Sequence, residues 1–134
     1  MIVQGAIEYN NNGVLTRKNV DIDTSKNNSC EKDVCDAISF ALYGKTVFND
    51  IISSEFGVPL IALTVENNGG VVRVTRQPQY TRITHFGTEY LSGELFILET
   101  KDAVYDSISS EKYYELMKEY ADKTYEEFAS YCRE

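Results

Sequence analysis

The chain has no tryptophan, one histidine (His85), two prolines and three cysteines in 134 residues. One histidine rules out a two-histidine phosphoesterase by count. A metal centre built on it would need carboxylates or thiols delivered by the fold, and no ligand spacing announces one. No H-E-x-x-H, P-loop, G-x-G-x-x-G or G-x-S-x-G motif occurs. The cysteines, Cys30, Cys35 and Cys132, are odd in number, and their C-x4-C pair is neither a disulfide framework nor a standard zinc knuckle. On one helix, Cys30 and Cys35 would point about 140° apart, too divergent to bond. The expectation is three reduced, mostly buried thiols in a cytoplasmic protein. No run approaches the roughly 20 apolar residues of a membrane span, and the start MIVQGAIEY lacks a basic signal region.

Excess positive charge is also missing. The net charge is −8, distributed as −3 over residues 1–57, zero over 58–98 and −5 over 99–134. Phosphate contacts need excess Lys and Arg, so direct nucleic-acid binding is disfavoured. An acidic chain is better suited to a basic protein surface.

What the chain does have is a regular pattern of strands and helices at the length of one domain, 1–134. Val3, Ile7 and Tyr9 alternate in a first strand, Asn10-Asn11-Asn12-Gly13 reads as a hairpin turn, and Val14–Ile22 returns. Val34, Ala37, Ile38, Ala41 and Leu42 recur at helical spacing, with Gly44 placed to end the helix. A shorter helix fits Val47–Phe56. Val58–Val65 is almost wholly apolar and predicts a strand buried on both faces. Asn67-Asn68-Gly69-Gly70 is the strongest hairpin signal, leading into Val71–Arg76. Strands over Tyr80–Phe86 and Glu94–Glu99 follow, separated by turns at Gly87 and Ser92-Gly93. Tyr113, Leu116, Met117 and Tyr120 mark a helix, and Thr124-x-x-Glu127 is a capping box opening another with Tyr125, Phe128, Ala129 and Cys132 on one face. The order ββ-αα-ββββ-αα predicts an α+β fold: an antiparallel sheet of about five to six strands with helices packed on one face.

Two surfaces are candidates for function. Arg73, Arg76, Tyr80, Arg82 and His85 lie where no acidic residue occurs between Val71 and Thr88. Guanidinium forks beside aromatic rings suit a nucleotide or another phosphate-bearing small ligand. Strand alternation puts Arg73 and Arg76 on opposite faces and leaves Arg73 and Arg82 free to converge. The competing explanation is that these arginines neutralise the acidic C-terminal helices. The second surface is the row Glu111, Glu115, Glu119, Asp122 and Glu126, within about 80° of one another if the helix is continuous. Against it, Lys118 can pair with Glu115 or Asp122, Lys123 can pair with Glu119, and the Thr124 capping box predicts a break near Lys123. Six of ten tyrosines follow Glu99 and favour a protein interface.

The sequence therefore favours a non-enzymatic binding module, an acidic inhibitor or adaptor without cofactor, metal or catalytic residue, docking on a basic protein. By analogy with compact acidic proteins of phages and mobile elements, its target would be a nucleic-acid-handling machine. Capture of a phosphate-bearing ligand by the arginine strands is the alternative, with an enzyme using His85 behind it. Self-association is compatible with either.

Overall fold

The alternation at the start of the chain forms β1 (Ile2–Asn11), antiparallel to β2 (Val14–Asp23), with Ile2 opposite Asp23 and Asn11 opposite Val14. The computed structural model describes residues 1–11, 14–26, 30–48, 59–77, 80–84, 87–91, 95–100, 103–105 and 110–133. At positions 10, 11, 80–84, 87–91, 95–97, 105 and 110 it describes the backbone alone. The expected helix over Val47–Phe56 falls mostly on residues outside this set.

On its other side β1 pairs with β3 (Leu60–Asn67), which turns through Asn68-Gly69 into β4 (Gly70–Gln77). Both turn residues have positive φ, 53° and 77°, the conformation for which the Asn-Gly pair is suited. β4 pairs with β7 (Leu95–Glu99), and β7 with the two-residue β8 (Val104–Tyr105). The sheet order is β2-β1-β3-β4-β7-β8, five full strands and a short sixth, all antiparallel. Between β4 and β7, β5 (Tyr80–Thr84) and β6 (Gly87–Leu91) form a separate two-stranded hairpin. The fold is α+β, as expected. β6 is an addition, because Gly87 opens a strand rather than only making a turn.

One face of the sheet is apolar. Val3, Ile7, Ile61, Leu63, Val65, Val72, Val74 and Leu98 are buried there, and the register aligns them in cross-strand rows such as Val3–Val65–Val72. On the opposite face Ala62 and Val71 are exposed. The expectation that Val58–Val65 is buried on both sides is therefore corrected. The alanine and threonine of ALT leave Ala62 and Thr64 on the outer face, with only Ile61, Leu63 and Val65 inside.

The buried face is covered by α1 (Lys32–Tyr43), α2 (Ser110–Met117) and α3 (Tyr125–Arg133). Every residue of α1 from Val34 to Leu42 is buried, because the sheet lies on one side and α2 and α3 pack on the other. The two polar members have partners. The Asp36 carboxylate accepts from the backbone N–H groups of Val47 and Phe48 at 2.8 and 2.7 Å, and the Ser39 hydroxyl donates to the Lys45 carbonyl at 2.7 Å. The capping box opens α3 as expected. Thr124 N–H donates to the Glu127 carboxylate and Glu127 N–H to the Thr124 hydroxyl, both at 3.2 Å.

The cysteine expectation fails for a geometric reason. α1 begins at Lys32, so Cys30 lies before the helix rather than on it, and its sulfur is joined to that of Cys35 across a Cα–Cα distance of 5.9 Å.

Gly5 sits in the interior strand β1 at φ 151°, and a Cβ there would meet the Ala62 carbonyl oxygen of β3. Gly5→Ala is expected to cost about 2–4 kcal/mol through backbone strain and overpacking, measured by urea denaturation. A second prediction concerns acid. Burial opposes ionisation of Asp122, but hydrogen bonds from the Met1 ammonium at 2.6 Å and the Thr24 hydroxyl at 2.8 Å outweigh it and hold the carboxyl below its ordinary 3.8. A depressed folded-state value stabilises above the unfolded-state titration and loses that contribution as pH falls through the folded one. Asp122→Asn should cost about 1 kcal/mol at neutral pH, and its deficit relative to wild type should shrink below roughly pH 4.

Candidate functional site

The end of α1 and the connection between α2 and α3 enclose a groove of about 600 Å³. Gly44, at φ 80°, stops α1 by donating its N–H to the Phe40 carbonyl at 2.9 Å and turns the chain outward. Lys45 follows directly. Across the groove, α2 stops at Met117 and α3 starts after Thr124, so Lys118, Asp122 and Lys123 sit in a non-helical wall.

Tyrosines hold the two sides together. The Tyr43 hydroxyl donates to the Lys123 carbonyl at 2.7 Å, and the Tyr125 hydroxyl to the Thr46 carbonyl at 2.7 Å. Burial, reinforced by the charges of Asp122 and Glu127, raises the Tyr43 phenol above its ordinary value and keeps it a neutral donor. The Lys45 ammonium lies 4.1 Å from the centre of the Tyr125 ring, and that of Lys123 lies 5.9 Å from the Tyr131 ring. The groove thus presents ammonium groups and phenols, with Glu126 and Glu127 on its rim. Its equipment is for binding by charge and hydrogen bonds.

Arg73 and Arg76 are not brought together. Val72, Val74 and Arg76 face the core while Arg73 faces solvent, the alternation expected of β4. Arg76 is 1% exposed and lies beneath α1 and α2. Its Nη1 donates to the Phe40 carbonyl at 2.6 Å and to the Tyr114 hydroxyl at 2.9 Å. Its guanidinium carbon is 4.1 Å from the centre of the Phe40 ring and 5.1 Å from that of Tyr113. Arg76 therefore serves the core. Arg73 is exposed and lines a second groove of about 510 Å³ with Glu99, Thr100, Tyr120 and the Gly69-Gly70 turn. Tyr80 and Arg82 belong to β5, outside the main sheet, with Arg82 opposite Glu89 in register; their side chains, and all of His85, lie outside the described residues.

The carboxylate row is divided. Glu111 and Glu115 are exposed on α2, Glu119 is exposed in the turn after it, and Glu126 is exposed on α3. Asp122 is drawn away to Met1 and Thr24. The expected pairs of Lys118 and Lys123 with these carboxylates do not form among the described residues. The Lys45–Lys118–Lys123 groove escaped the sequence reading. Gly44 and the Thr124 box marked both of its walls, but only tertiary packing sets them opposite each other.

Arg76→Ala should cost about 3–5 kcal/mol, because it removes a large packed side chain and the donor to the end of α1. Arg76→Lys should recover only part of that, since an ammonium cannot stack as a guanidinium does. Urea denaturation of both variants checks the order; equal stability of all three proteins would refute the role given to Arg76. Comparison with protein-family models, with curated proteins and with solved structures finds no match for the chain.

Proposed function

We propose that the chain is a non-enzymatic binding module whose α2–α3 face docks on a basic protein surface. One observation carries this reading. Glu111, Glu115, Glu119 and Glu126 are exposed, and among the described residues none lies in an ion pair. A solvated helix face is ordinarily laced with i, i+4 pairs. Here the sequence supplies the lysines, but they lie along the neighbouring groove. Four exposed carboxylates without an ion-pair partner among the described residues, of which Glu126 also lines the tyrosine-bearing groove, give long-range attraction for a cationic partner.

The phosphate-ligand alternative is left to Arg73 and Arg82, since Arg76 is committed to the core.

Peptides selected from a randomised display library against the folded chain should be enriched in Lys and Arg. Their affinity should fall at least tenfold in Glu115→Lys/Glu119→Lys, and far less in the control Asp21→Lys/Glu66→Lys, which changes net charge equally at exposed positions on the sheet. Equal loss in both variants would reduce the effect to overall charge, and selected peptides without basic enrichment would refute the docking face.

A further inference from the structure

Away from both grooves, the start of α1 and the end of α3 bring three sulfurs together. Cys30 precedes α1, Cys35 lies in its first turn and Cys132 in the last turn of α3. Their Sγ atoms all lie within 4.8 Å of one another, although Cys132 comes from the far end of the sequence. Cys35 and Cys132 are buried and Cys30 is half-buried, so the cluster is sealed on the core side and approachable at Cys30. A disulfide needs two sulfurs. Cys30 and Cys35 supply it, and Cys132 remains a free thiol against the pair.

We propose that Cys30, Cys35 and Cys132 bind one thiophilic divalent cation, of which zinc is the type, when the Cys30–Cys35 bond is reduced. Zn–S bonds of about 2.3 Å place the sulfurs of a three-thiolate site about 3.8–4.0 Å apart, so the present spacing needs closure of less than roughly 1 Å for the third sulfur. Three soft ligands in an apolar setting favour such a cation over magnesium or calcium. The half-exposed Cys30 side leaves room for a water as fourth ligand. The steps balance. A phosphine and water convert the disulfide to two thiols and a phosphine oxide, and three thiols then exchange three protons for the divalent cation, leaving a complex of charge −1.

The chain, reduced anaerobically with a phosphine, should take up one Cd²⁺ with a thiolate-to-cadmium charge-transfer band in the ultraviolet. The unreduced chain should show none. Cys132→Ser should weaken Cd²⁺ binding on the order of 100-fold, with its fold checked by circular dichroism. X-ray absorption of the zinc-loaded wild type, which requires no variant to fold, should count three sulfurs at about 2.3 Å. No uptake by the reduced chain, equal affinity in a folded Cys132→Ser, or a count of two sulfurs would each overturn the proposal.

Discussion

The buried C-terminal end of α1 is the constraint on which the rest of this structure depends. A helix leaves its last carbonyls without intrahelical partners, and burial denies them water. The last turn of α1 carries no basic residue of its own. The compensation comes from elsewhere in the chain. Gly44 and Arg76 both donate to the Phe40 carbonyl, and the Tyr113 hydroxyl donates to the Ala41 carbonyl at 2.5 Å. The guanidinium also places a full positive charge where the helix dipole is negative. Arg76 thus links three layers: its backbone is in the sheet opposite Ile61 and Phe96, its donors reach α1, and its plane lies near the rings of Tyr113 and Tyr114 on α2.

Once α1 is held in this way, the tyrosines have defined tasks. Those at 43, 113 and 125 donate their hydroxyls to backbone carbonyls on a neighbouring element. Each contributes a large ring to packing and a donor to a backbone carbonyl, at the end of α1 for Tyr113 and in a connecting segment for Tyr43 and Tyr125, the combination that suits tyrosine to a layer boundary. The grooves lie where these ties end, at the junctions of elements rather than within them.

How far the sequence revealed this depends on whether a feature was local. The Asn-Gly hairpin, the stop at Gly44 and the Thr124–Glu127 box act over four residues or fewer, and each appears where its chemistry predicts. β4 was legible too, including the placement of Arg76 in phase with Val72 and Val74. The role of Arg76 was not, because a charge on a core face has no meaning until the acceptor above it is known, and Phe40 lies 36 residues away. The cysteines illustrate the same limit at finer scale. A helix that starts at Lys32, after Cys30, leaves Cys30 and Cys35 bonded rather than divergent. The binding surface was legible only as composition, since the carboxylate row assumed a continuous helix.

The break in that helix explains the surface charge. Within one helix, Lys118 and Lys123 would have stood a turn from Glu115 and Glu119 and neutralised them. A hydrogen-bonded turn carries the chain on to Ala121, with the Lys118 N–H still donating to the Tyr114 carbonyl, and helical geometry resumes only at Tyr125, which removes Lys123 from that spacing. Lys123 turns to the Tyr131 ring and, from the other wall, Lys45 to Tyr125. Cations are thereby paired with π-faces and the glutamates are left to water. The capping box that begins α3 is therefore also what separates the charges. A threonine whose local work is to satisfy a backbone N–H thus also marks the point at which Lys123 leaves the helical spacing that would pair it with Glu119.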